Sequence, residues 1–128
     1  TNISNKISNL GVVATDTSGV GTARPSPGGA GYGTDKAIFA HGDQSNHVNL
    51  VSNTGVVASD TTASGSARSI GAGSAYGGDK ALFYGGNANG ALINYANLVT
   101  NQGVVGANQS AVGTGRSNLA GATYSYST

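Results

Sequence analysis

Two acid–base pairs, Asp35-Lys36 and Asp79-Lys80, stand in the same frame of "GYGTDKAIFAHG" (31–42) and "AYGGDKALFYGG" (75–86). Adjacent Asp and Lys could move a proton if burial shifted one of them. His41, Asp43 and His47 in "HGDQSNH" carry nitrogen and oxygen donors of the kind that hold a divalent metal. Their frame equivalents in the next copy, Gly85, Asn87 and Tyr95, do not repeat the set, so this segment reads as a turn with two solvated His. Ser, His and Asp show no nucleophile-elbow spacing. "SPGGAGYG" and "GAGSAYGG" are rich in Gly but open no helix onto which a phosphate could dock. "NANG" lacks the carboxylates of a calcium loop.

An active site brings unlike groups together once, whereas nine of the eleven charged residues here recur in a repeated frame. They are Arg24, Arg68, Arg116, Lys36, Lys80, Asp35, Asp79, Asp16 and Asp60. No catalytic residue, metal ligand or cofactor is assigned. In the structural reading, Asp35 and Asp79 close a turn and Lys36 and Lys80 open a strand. The Arg series bridges neighbouring units through backbone carbonyls or Asp.

The elements that carry these charges recur with them. "GVVATDTSGVGTAR" (11–24) returns at 55–68 and 103–116, at offsets of 44 and then 48. Between 11–42 and 55–86, 17 of 32 positions are identical. Tyr32, Tyr76 and Tyr124 hold one frame, and an Asn series (Asn5, Asn49, Asn97) holds another upstream of each Gly-Val-Val. The four extra residues of the second interval fall around "NANG", where a turn absorbs them. The chain therefore reads as one repeat domain, 1–128, with units of approximately 1–42, 43–86 and 87–128. Each unit orders an Asn-rich strand, a Gly-Val-Val strand, an Arg-to-Tyr strand and an Asp-Lys-Ala-aromatic strand. "KAIFA" and "KALFY" are short apolar runs bounded by Gly, as in an inner strand buried on both faces. "TDTSGVGT" and "SDTTASGS" read as turns. No capping box precedes a 3.6-residue period, and 22 Gly weigh against helices. The fold class is all-β, with about three four-stranded antiparallel repeats, the last incomplete.

Composition narrows the setting. A net charge of +1 gives no electrostatic reason to bind nucleic acid. No apolar run reaches the roughly 20 residues of a membrane-spanning helix, so no membrane insertion is expected. With no Cys there is neither a disulfide nor a thiolate metal site, and the lack of Cys and Met suits life outside the cell. The absent initiator Met implies a processed product or a fragment.

About four short strands per 44–48 residues is the spacing of a propeller blade. "ARSIGAGSAYGGDKALFYGG" (67–86) resembles the kelch repeat: Arg, a small-residue strand, a short turn, then an apolar strand ending in Gly-Gly. The resemblance implies blade-defining positions at Arg68, Tyr76, Lys80, Phe83, Gly85 and Gly86, matched by Arg24, Tyr32, Lys36, Phe39 and Gly42. His41-Gly42 departs from the Gly-Gly doublet, and the Trp of kelch blades is replaced by Gly-Val-Val. The wording of the unit is also similar to repeat-rich phage tail-fibre and appendage proteins.

Propellers close with about four to eight blades, and this chain supplies three at most; the frame of Lys36 and Lys80 falls on Thr128, where a further Asp-Lys-Ala strand is lacking. Exposed inner strands and sheet edges favour self-association, by ring closure or head-to-tail addition. The expectation is a non-enzymatic structural protein, a homo-oligomer or homopolymer forming an extracellular or virion appendage such as a tail fibre or filament. The alternative is a carbohydrate-binding propeller lectin that contacts surface glycans. Its candidate ligand contacts are Tyr84, Tyr95, Asn87 and Asn89, since Tyr beside Asn and Gly can stack on sugar rings. Tyr124 and Tyr126 add exposed aromatics near the C-terminus.

Overall fold

A computed structural model describes residues 2–69, 71–110 and 113–124. Tyr126 and Thr128 lie outside these. The described residues are all-β, with no helix. Ten strands form: β1 (Gly28–Tyr32), β2 (Lys36–Ala40), β3 (His47–Val51), β4 (Thr61–Thr62), β5 (Ala72–Tyr76), β6 (Lys80–Tyr84), β7 (Asn87–Ala88), β8 (Ala91–Leu92), β9 (Tyr95–Val99) and β10 (Gln109–Ser110). One antiparallel sheet has the order β1-β2-β3-β4, and a second has β5-β6-β9-β10. Each sheet thus joins an Arg-to-Tyr strand and an Asp-Lys strand to the Asn-rich strand that follows in the chain, across the boundaries at 42/43 and 86/87.

Local chemistry explains the connections. Each Asn-rich strand leaves through a three-residue loop closed by an Asn-strand Ser or Thr. Ser8 Oγ accepts from Leu10 and Val12 N–H, Ser52 Oγ from Thr54 and Val56, and Thr100 Oγ1 from Gln102 and Val104. The last loop residue is left-handed, and it is Gly11, Gly55 or Gly103 (φ +78, +75 and +83). The Gly of Gly-Val-Val is therefore the pivot of a hairpin loop, with single bridges after it (Val51 to Val57, Val99 to Val105) in place of a full strand. Conversely Thr61–Thr62, inside a stretch read as a turn, forms β4, paired with His47 and Val48. The four-residue insertion builds the β7–β8 hairpin on Asn89-Gly90, both left-handed as its tight turn requires.

The two sheets stack face to face. Tyr32, Ile38, Ala40 and Val48 of the first meet Ala81, Phe83, Val99 and Val105 of the second in one buried core, joined by Ala63. Gly73 makes this contact possible: a Cβ there would sit 2.3 Å from the Gly29 carbonyl oxygen. Residues 2–17 form a smaller antiparallel hairpin, bridged at Ser4–Thr17 and Ile7–Val13, against the other face of the first sheet. Segment 113–124 lies along β5, with a Cβ on Gly121 only 2.4 Å from the Gly73 carbonyl and Ala75 N–H donating to Thr123 Oγ1. The described residues thus form four layers, two of them four-stranded sheets.

Candidate functional site

The strongest polar constellation is built by the Asn series inside the layers, and it occurs three times. Asn5, Asn49 and Asn97 each donate from Nδ2 to a carbonyl nine residues on (Ala14, Ala58, Gly106) and to a side chain eleven residues on (Asp16, Asp60, Asn108). With its amide donor spent this way, each Asn turns Oδ1 outward as an acceptor. Arg24 NH2 fills that acceptor on Asn49 at 2.6 Å, and Arg68 NH1 fills it on Asn97. The Arg main chains meanwhile pair with the preceding layer. Arg68 N–H donates to Ser45 and its carbonyl accepts from Gly42, and Arg116 does the same with Ile93 and Gly86. Arg68 therefore binds the layer behind it through backbone and the layer ahead through its guanidinium, while Arg24 shows the guanidinium half of this pattern and Arg116 the backbone half.

The three Arg differ in environment. Arg24 also donates from Nε to the His41 carbonyl and lies 3.6 Å from Asp60. Desolvation lowers its pKa, with Asp60 opposing. Asp60, accepting from Thr22 and Asn49, is held down at about 2. Arg68 is fully buried, and the frame position that Asp60 holds beside Arg24 is Asn108 in its copy. Among the described residues its Nε and NH2 have no hydrogen-bond partner, although its guanidinium stacks on Tyr95 at 5.4 Å. Burial lowers its pKa to about 10, so it stays charged at neutral pH. Arg116 is exposed and stacks on Tyr84 at 5.6 Å.

His41 overturns the reading of two solvated imidazoles. It is buried edge-on against Phe83, ring centroids 5.7 Å apart. Its left-handed backbone (φ +61) matches Gly85 (φ +64), its frame equivalent, and aims the ring into the core between the Arg side chains. Burial first, then Arg68, lowers its pKa to about 3. No group of three metal-ligating side chains occurs among the described residues.

The paired Asp and Lys sit outside the core. Lys36 and Lys80 are the first residues of β2 and β6, after turns with left-handed Gly33-Thr34 and Gly77-Gly78. Lys36 Nζ is 2.7 Å from Asp35 Oδ1 and Lys80 Nζ 3.0 Å from Asp79 Oδ1. Asn53 and Asn101 donate to the second carboxylate oxygens, which ties each turn to the neighbouring hairpin loop. Hydrogen bonds from Lys first, then Asn53, lower the Asp35 pKa. Both carboxylates are occupied, Asp35 exposed and Asp79 half-buried, a poor setting for proton transfer. Tyr32 is buried, Tyr76 half-buried and Tyr124 exposed.

The candidate sugar contacts are divided. Tyr84 pairs across the ladder with Ala96, so the adjacent Tyr95 points to the opposite face. Tyr84 belongs to the Arg116 side and Tyr95 to the Arg68 side. Asn87 exchanges both main-chain bonds with Ser69, its Oδ1 accepts from Gly90, and Asn89 N–H donates to Gln44. These Asn secure the insertion hairpin to the first sheet.

The Asn acceptors were visible in sequence as a repeated frame. The Gly29–Gly73–Gly121 contact line was missed, although its three Gly share that frame. Comparison with protein families, with characterised proteins and with solved structures gave no match.

Proposed function

We propose that the chain is a non-enzymatic structural repeat protein whose stacked, blade-like sheets self-associate into an extracellular or virion appendage, such as a tail fibre or filament. The observation that carries this reading is how three repeated apolar positions change exposure from layer to layer. Ile7 is 69% exposed and its equivalent Val99 0%; Val13 is 61% exposed and Val105 4%; Phe39 is 39% exposed and Phe83 1%. The same side chains form a core where a sheet lies over them and a bare apolar face where none does, and bare faces of this kind mark interaction surfaces. Four-stranded meanders packed face to face, with an Arg before and a Gly after the first two strands of each, also suit the kelch-like blade reading. Each additional layer would bury such a face in the way the chain already buries its own. Static light scattering and negative-stain microscopy across a concentration series test this: rings or filaments are expected, and a monomer at every concentration would refute it.

A second reading, a glycan-binding protein, draws support from a groove of about 600 Å³ lined by Tyr76, Tyr84, Arg116 and the exposed Tyr124. Aromatic faces beside a guanidinium suit a sugar ring and its hydroxyls. A glycan array without hits would remove this reading.

A further inference from the structure

We infer that a second copy docks head to tail, its segment 116–124 lying over β1 of the first copy with Arg116 on Asn5 and Asp16. This inference rests on the self-association proposed above and specifies its contact. At the junction between the two complete sheets three features coincide: the Gly29 carbonyl against Gly73, the Arg68 guanidinium on Asn97 Oδ1, and an apolar face covered. All three are present in half-complete form on the outer surfaces. Among the described residues no donor reaches Asn5 Oδ1, although its Nδ2 is bonded to Ala14 and Asp16 as in the other copies. Arg116, poised by the same main-chain bonds as Arg68, has among the described residues only the Tyr84 ring for its guanidinium. The charges complement each other, since Asp16 is the frame equivalent of the Asp60 that pairs with Arg24.

The glycines supply the steric half. A Cβ on Gly73 would meet a Gly29 carbonyl at 2.3 Å and one on Gly121 a Gly73 carbonyl at 2.4 Å. A Cβ on Gly29 would meet nothing closer than the Phe39 ring at 3.4 Å, an ordinary contact. The Gly29 face is therefore shaped like a junction and carries none. Segment 116–124 of another copy fits there, because it already makes this contact on its other side against β5.

Gly29→Ala tests the inference, since it is silent in the isolated chain and blocking in the assembly. Wild type should associate with rising concentration by sedimentation velocity. Gly29→Ala should keep the wild-type melting temperature but lose association by more than about a hundredfold, because its Cβ would meet a backbone carbonyl that cannot yield. It still presents an intact 116–124, so substoichiometric Gly29→Ala should cap and shorten wild-type assemblies. Arg116→Ala and Asp16→Ala should each weaken association roughly tenfold, the scale of one charge-assisted hydrogen bond. If wild type associates and Gly29→Ala associates equally well, this docking is wrong while self-association stands. If wild type never associates, both fail.

Discussion

The buried His41 makes the acid stability of the protein predictable. Its imidazole is folded in the neutral form, with Arg68 and Arg24 as the nearby cations and its pKa lowered to about 3 from 6.5. Between those values the unfolded chain binds a proton that the folded chain refuses. Stability is therefore complete above about pH 6.5 and falls as the pH is lowered towards 3, by about 1.4 kcal/mol for each pH unit. From neutral pH to pH 4.5 the loss is roughly 2–3 kcal/mol, a large share of the roughly 5–15 kcal/mol that holds a domain together. The carboxylates do not confuse this window. Hydrogen bonds from Thr22 and Asn49 hold Asp60 at about 2 against an ordinary 3.8, so its contribution goes only below about pH 4. Asp35 and Asp79 are lowered in the same direction by their Lys partners. Urea unfolding between pH 7.5 and 4.5, followed by far-UV circular dichroism at dilute protein, measures the slope. His41→Gly supplies the control, since Gly occupies the same left-handed position in the second copy. The variant should show a nearly flat profile from pH 6.5 to 4.5 and overtake wild type at the acid end. A flat wild-type profile, or an equal slope in the variant, would refute the reasoning.

Three further outcomes follow from the layer contacts. Gly73→Ala should destabilise by about 2–4 kcal/mol in thermal or urea unfolding, because its Cβ would lie 2.3 Å from the Gly29 carbonyl oxygen and the two sheets must separate. Asn108→Asp should stabilise by about 1 kcal/mol at pH 7, since it gives buried Arg68 the carboxylate that Arg24 has in Asp60, while the Ser66 hydroxyl can donate as Thr22 does; an unchanged or lowered urea midpoint would count against that account of Arg68. Thr34→Gly should gain about 1 kcal/mol in the same assay, because a β-branched residue at φ +69 is strained where the second copy has Gly78 at φ +82.

Much of the architecture was legible because its signals are local. "KAIFA" and "KALFY" are strands β2 and β6, "VNLV" and "ANLV" lie on β3 and β9, and Gly residues mark many of the places where the chain turns. The Gly-Val-Val segment misled because its Val residues favour strands, while Ser or Thr three residues before the Gly closes a loop around it. Thr61–Thr62 misled in the other direction: its strand exists only because His47 and Val48 come alongside, and no local propensity signals that.

The sequence by itself determined the repeat, the all-β character and the recurrence of the Arg and Asn series in fixed frames. These follow from periodicity and from the conformational limits of single residues. Only the tertiary structure decided that strands combine across the sequence units, and that His41 is buried and neutral. It also decided that three Arg in one frame meet different fates: Arg24 paired with Asp60, Arg68 sealed without a carboxylate, Arg116 left on the surface. The physical reason is that burial belongs to a position's neighbours. A residue and its copy have the same side chain, but only the one with a sheet stacked over it loses its water.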